Sequence, residues 1–381
     1  MQTIYFDYNA TTTLDLEVRE VMMPFLGDVW GNPSSVHRIG RAARSALDDC
    51  RYRLAELWRC KPSEMVFTSG GTESNNLAIF GTARLLKPRG RHLITSAVEH
   101  PAALHAFDQL ERLEGFEVTR LAVDAHGRVE LQALMDATRP DTTLVSVMAA
   151  NNEVGTLQPI AEIGAWCRER GIRFHTDAVQ AFGKLPFSGM DAFHADLVSV
   201  CAHKFHGPKG AGALFIRSPL QPIPILVGGG HENERRAGTE NLSAIAGLVE
   251  AFARFVPSPV FSEQQLRPMV LELSRAVQSL PGVTVRGDPT LGLSNTLAFT
   301  VAGCDSMALL AGLDLEGICA SSGSACSAGS LEPSHVLRAM GVSEAESNAL
   351  VRFSLGRKST AEEVSLVIDA LPSVLRQIRG G

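Results

Sequence analysis

From about residue 60 to 250, short apolar runs alternate with longer amphipathic stretches, the primary signal of secondary structure in a chain without an alignment. MVFTS (65–69) reads as a strand and ESNNLAIFGTARLL after it as a helix. HLITS (92–96) is followed by a helix from about Pro101, and TLVSVMA (143–149) by one that starts near Pro159 and ends at Gly171. Proline suits a first helical turn because the N–H it lacks would have no partner there, and glycine accepts the left-handed turn just past the end. IRFHTD (172–177) and DLVSVCA (196–202) are further strands. Strands that alternate with helices predict a mostly parallel sheet with both faces covered, an α/β fold.

FVPSPVFSEQQ sets Pro257 and Pro259 between two helical stretches and predicts a domain boundary. Beyond it the pattern gives a helix over about 262–280, strands near VTVRG and NTLAFTV, a helix from about Asp305 and a last helix from about Thr360. This reads as a smaller α+β domain. The expected division is a large domain over 15–256, with 1–14 and 257–381 forming the small one. The 381 residues suit two domains at roughly 100–200 residues each and can bury a sizeable core. With 45% hydrophobic and 20% charged residues, the chain is neither fibrous nor disordered. Its formal charge of −6 argues against a broad grip on nucleic acid. Seven cysteines are scattered without a CxxC pair, which speaks against a disulfide framework or a zinc knuckle. The chain opens on MQTIYFDYNATTT, with no basic region before an apolar run, and no stretch approaches 18 apolar residues. The expectation is a reducing, cytoplasmic setting without membrane contact.

Asn152, Asp177 and Lys204 stand at or just past the carboxyl ends of predicted parallel strands, where ligands bind in open α/β sheets. Polar residues also begin loops for no chemical reason, so it is their coincidence that points to a site. Only six lysines occur (61, 87, 184, 204, 209 and 358) and the other 29 basic residues are arginines. Lys204, in CAHKFHGPKGAGAL, is a lysine beside a buried strand end in a chain that otherwise prefers arginine. A desolvated lysine amine can bond covalently to a carbonyl, which arginine cannot do. Asp177 suits the protonated ring nitrogen of pyridoxal phosphate, a helix cap or, less well without a ligand cluster, a metal. Gly70-Gly71-Thr72-Glu73 joins a strand to a helix and would offer N–H groups and a hydroxyl to a phosphate, although glycine turns before helices are common. His100 is either a structural histidine or a ring stacked on a cofactor that moves protons near neutral pH. Arg352, inside a predicted strand, needs a partner: an internal carboxylate or the carboxylate of a substrate. Cys326 lies in SSGSACSAGSLEPSHVLRAMG, a Ser/Gly/Ala run that reads as a mobile loop over about 322–332 and gives a nucleophile reach. The other cysteines read as buried hydrophobes.

Together the motifs resemble the NifS/IscS-type cysteine desulfurases, class-V aminotransferase-like enzymes of pyridoxal-phosphate (PLP) fold type I. The matching stretches run nearly the whole chain: YFDYNATT, GNPSSVHRIGR, VFTSGGTESNNLAI, EH at 99–100, NNEVGTLQPI, HTDAVQAFGKLP, AHKFHGPKG, RAGTEN, SSGSACSAGSLEPSHVLRAMG and VRFSLGR. The long loop around Cys326 is similar to the group I subclass. The resemblance implies a large domain with a mostly parallel seven-stranded sheet and the cofactor pyridoxal 5'-phosphate. Lys204 would bind it covalently, Asp177 would pair with the ring nitrogen and Gln180 with the ring hydroxyl. His100 would stack on the ring and move protons. Gly71, Thr72, Cys201 and His203 would belong to the phosphate cradle, with Thr239 reaching it from the second subunit of a homodimer. Asn152 and Arg352 would hold the carboxylate of L-cysteine, with Asn32 nearby. Cys326 would take the sulfur as a persulfide, release alanine and pass the sulfur to an acceptor protein, for instance in iron–sulfur assembly.

Three departures stand out. Cys201 occupies a position where relatives usually carry serine, and a thiol is the poorer donor. Asn233-Glu234 stands where relatives often carry Arg-Gly. The chain ends at LRQIRGG without the longer tail of housekeeping relatives, so a different acceptor is expected. An aminotransferase or selenocysteine lyase on the same fold would not need Cys326, and a non-catalytic sulfur-carrier subunit would not need Lys204, Asp177 and Arg352.

Overall fold

The computed structural model describes residues 3–323 and 333–380. Its strands are β1 (Ile4–Tyr5), β2 (Met65–Thr68), β3 (His92–Ser96), β4 (Glu117–Leu121), β5 (Thr142–Ser146), β6 (Arg173–Asp177), β7 (Leu197–Cys201), β8 (Gly212–Ile216), β9 (Val283–Arg286), β10 (Thr296–Val301), β11 (Ile318–Cys319) and β12 (Leu350–Ser354). Seven of them form one sheet in the order β2-β8-β7-β6-β5-β3-β4. All neighbours run parallel except β8, which is antiparallel to both β2 and β7. The expected mostly parallel sheet is therefore mixed, with one reversed strand. Residues 202–211 are too few for a crossover helix between β7 and β8, so the chain turns back instead.

Burial follows sheet position. Every residue of β3, β5, β7 and β8 is buried, as expected for strands covered on both faces, whereas the edge strand β4 shows only Leu121 buried. The helix Leu242–Phe255 and the helix Arg38–Trp58 lie against each other, and Trp58 packs edge-on to Phe215 of β8 and Phe252. The main apolar core runs from Val18 to Val256. A second core gathers Ile4, Phe6 and Tyr8 with residues from Phe261 to Leu375, around the antiparallel sheet β9-β10-β12. The amino-terminal segment thus packs with the carboxyl-terminal part, through β1 paired parallel to β11 and through the bridge Asp7–Ser354.

The helices that frame the cleft end as their residues dictate. His100 is the N-cap of the helix Pro101–Glu114: its Nδ1 accepts from Ala102 N at 3.1 Å, Pro101 follows, and Gly115 closes the helix at φ 72°. The helix Gly71–Leu86 begins after Gly70 at φ 156° with no side-chain cap. Gly212 sits against that turn so closely that a Cβ there would meet Gly70 Cα at 2.6 Å and Val200 O at 2.8 Å. Among the described residues, no helix is long and apolar enough to cross a membrane.

Candidate active site

Past the carboxyl ends of the parallel strands lies a cleft that brings together Gly71, Thr72, His100, Asn152, Asp177, Gln180, Cys201, His203, Lys204 and Arg352, with Asn9, Ala10, Asn75 and Val179 also lining it. Lys204 follows β7 on a single helical turn, half-buried, and its amine donates to the carbonyls of Asn9 (2.6 Å) and Ala10 (2.8 Å). Asp177 ends β6 and is buried. It accepts from Asn75 Nδ2 at 2.6 Å and from Val179 N at 3.0 Å, which aims the carboxylate along the cleft floor. The Oδ1 atom of Asn75 is buried and has no partner among the described residues.

Burial pushes the His100 imidazole below the ordinary histidine value; Asp177 opposes this and Lys204 adds to it. The ring is therefore neutral at physiological pH, and because Nδ1 accepts from Ala102 N, its proton sits on Nε2. Burial, with Lys204 and Lys209 adding, pushes His203 down to about 4. Burial pushes the Cys201 thiol up to about 11, so it remains a weak neutral donor beside the Gly71 amide. Glu99, next to His100, is fully enclosed; it accepts from Ser96 Oγ (2.5 Å) and Met148 N (2.9 Å), and burial raises it to about 8. Through these two bonds it ties the strand ends flanking His100.

Arg352 on β12 is only 1% exposed. It donates to Asn152 O (2.8 Å), to Gly323 O and to Asp7 Oδ1 (2.6 Å), while its Nε has no partner among the described residues. Both alternatives in the sequence thus meet here: Arg352 has an internal carboxylate in Asp7 and also lines the cleft. Thr239 and Asn32 are not brought to the cleft. Thr239 is exposed in a separate depression with Arg236 and Glu240, and Asn32 is exposed with Oδ1 accepting from Ser34 N at 2.8 Å. Cys326 and most of its Ser/Gly/Ala run lie outside the described residues. Asn9 and Asn75 complete the lining, and Lys184 lies behind it on Asn9 and Gln180; sequence reasoning picked out none of the three. The i, i+4 spacing of Gly71 and Asn75 on one helix was a usable signal for Asn75, and Asn9 lies within YFDYNATT.

These groups fit a phosphorylated pyridine aldehyde. A half-buried amine suits the aldehyde, a fixed carboxylate suits a protonated ring nitrogen, and uncapped N–H groups at a helix start with Thr72 suit a phosphate.

The aminotransferase class-V family matches residues 4–367. Cysteine desulfurase IscS of Dictyoglomus turgidum is 44% identical over 377 residues, covering 99% of this chain and 95% of its own. Cysteine desulfurase IscS of Methanosarcina thermophila is 43% identical over 378 residues, covering 99% and 93%. Among solved structures, a NifS-like protein superposes with a TM-score of 0.91 at 34% identity, over 99% of this chain and all of its own. The structure titled SspA in complex with cysteine superposes at 0.80 with 36% identity, over 94% of this chain and 100% of its own. Full-length similarity at this level, on a fold whose cleft gathers a lysine and an aspartate at the strand ends and an arginine from β12, means that the chain belongs to the class-V aminotransferase family and, within it, to the cysteine desulfurases.

Proposed function

We propose that the cleft binds pyridoxal 5'-phosphate and L-cysteine, and that the protein removes the sulfur of L-cysteine to give L-alanine and a persulfide on Cys326. The observation that carries this reading is the meeting of Lys204, Asp177, His100 and Arg352 in one cleft. The cofactor, when bound, supplies an electron sink that loosens bonds at the substrate's α and β carbons.

The chain's own groups supply the rest. Lys204 anchors the cofactor, and its two carbonyl partners aim the amine. Asp177 holds a proton on the ring nitrogen and is itself fixed by Asn75. Gly71, Thr72, Cys201 and His203 hold the phosphate at the start of the helix Gly71–Leu86. The buried guanidinium of Arg352, with Asn152, orients the substrate carboxylate. His100, beside Lys204, relays a proton above the ring, accepting one only as its Nδ1 releases Ala102 N. The Cys326 thiolate attacks the substrate sulfur, forming an S–S bond as the C–S bond breaks. The electron pair of that bond stays with the carbon and is protonated to give alanine. The persulfide then passes to a sulfur-acceptor protein, in iron–sulfur assembly or another thiolation pathway.

We further assign the protein as a homodimer. Trp30 (68% exposed), Val36 (87%) and Val227 (86%) are apolar side chains left in solvent by the single chain. Thr239 lies outside its own chain's cleft, where a second chain's site could use it. The thiols of Cys50, Cys60, Cys167, Cys201, Cys304 and Cys319 are all unpaired, which supports a reducing, cytoplasmic location. The test of the activity is alanine release from L-cysteine by the wild type and its loss in Lys204→Ala. A Lys204→Ala variant with full turnover would overturn the reading.

A further inference from the structure

Gln180 lines the floor of the cleft, and two neighbours leave its amide a single orientation. The carbonyl of Asn9 can only accept, so the nitrogen of Gln180 faces it, and Nε2 donates there at 3.0 Å. On the other side Lys184 Nζ donates to Gln180 Oε1. The same amine donates to Asn9 Oδ1 at 2.6 Å. Asn9 is itself fixed, because its Nδ2 donates to Asn152 O (3.2 Å) and Thr296 Oγ1 (2.9 Å) and so leaves Oδ1 toward Lys184.

Lys184 is 4% exposed and its two bonding partners are both amide oxygens. The ring of Phe261 lies 5.3 Å from Nζ. Burial first, and then the positive charges of Lys204 and Arg352, hold its pKa well below the ordinary lysine value, with Cys201 opposing. Charged or neutral, the amine keeps the two N–H groups that the two oxygens require. An amide nitrogen carries two N–H groups. One goes to Asn9 O, and the second is left for the cleft.

We propose that Lys184 is a positioning residue: by donating to Gln180 Oε1 it makes the Gln180 amide present an N–H, never an oxygen, to the anionic ring oxygen of a cofactor bound in the cleft. This rests on the reading of the cleft as a pyridoxal-phosphate site. Its consequence is electrostatic. While a Lys204–cofactor linkage is protonated, its own proton would serve the ring oxygen. When the linkage loses that proton, the oxygen needs an outside donor. An N–H from Gln180 therefore favours the deprotonated form and lowers the pH at which the linkage titrates.

The test follows the absorption band of the Lys204–cofactor linkage through a pH titration of the reconstituted holoenzyme. Lys184→Met is expected to raise the midpoint by roughly one pH unit, the size of one lost hydrogen bond to a charged oxygen. Gln180→Leu is expected to raise it similarly, and the double variant to go no higher than Gln180→Leu alone, because Lys184 acts through Gln180. A merely structural Lys184 would change urea resistance and leave the midpoint where it is. An unchanged midpoint in folded Lys184→Met, or shifts that add in the double variant, would overturn the proposal. Even if Lys184→Met does not fold, an unchanged midpoint in Gln180→Leu overturns the proposal, since that variant lacks the donor on which the proposal depends. Lys184→Gln, which keeps an N–H donor to Gln180 Oε1 without the charge, is expected to hold the wild-type midpoint, a shifted one overturning the proposal. A wild type that forms no such band would instead overturn the cofactor reading itself.

Discussion

His175 lies between two hydroxyls on neighbouring strands, with Ser146 Oγ 2.8 Å from Nδ1 and Ser199 Oγ 2.9 Å from Nε2. It is fully buried, and burial pushes its pKa down to about 3. Below the unfolded value of about 6.5 the unfolded chain binds a proton that the folded chain refuses, so stability falls as the pH drops toward about 3. The loss is about 1.4 kcal/mol per pH unit within that window. Urea unfolding at pH 5.5 and 4.5 should show a slope that is flatter by about that amount in His175→Gln than in the wild type. Equal slopes would mean that the ring does not stay neutral. The residues that carry the proposed chemistry were legible one at a time, because Lys204, Asp177 and Arg352 each stand out against their local sequence. Asn9 and Lys184 did not, because their meaning lies in partners far along the chain, such as the bond from Lys204 to Asn9 O across 195 residues.

At the scale of elements, β8 is the piece the pattern misses. GALFI reads as another apolar run, and nothing in its own residues gives its direction. The short return from β7 sets that direction and brings Gly212 against Gly70. A methyl group there would press on backbone atoms of the turn that starts the helix Gly71–Leu86. Gly212→Ala should lower unfolding stability by about 1–3 kcal/mol and weaken cofactor retention, measured by urea unfolding and by dialysis of the holoenzyme. Wild-type values in both would refute the contact. Other strands were legible with small errors at the ends. TLVSVMA predicts a strand to 149, whereas β5 stops at Ser146. Beyond it Val147 N and Ala149 N still bond to His175 O and Asp177 O, so the extended run is real but leaves the regular ladder on its way to Asn152.

The whole molecule joins its two ends around the cleft. The first residues pair with β11, Asp7 binds Arg352, and Asn9 links Lys204 to Thr296. No local pattern announces such a strap, because β1 is two residues long and its Ile4 is buried by residues beyond 260. The position of Thr239 outside its own chain's cleft carries the prediction at this scale: sedimentation at micromolar concentration should give a dimer, and a fully active monomer would contradict the shared-site reading.

The central claim is that this cleft moves sulfur from L-cysteine to Cys326. The direct measurement is a single turnover of the holoenzyme with L-cysteine, with alanine quantified and the persulfide mapped by mass spectrometry. The account predicts alanine and one persulfide on Cys326 in the wild type, and neither at a useful rate in Cys326→Ser, although that variant still binds the cofactor. A fully active Cys326→Ser variant with its persulfide on another cysteine would contradict it.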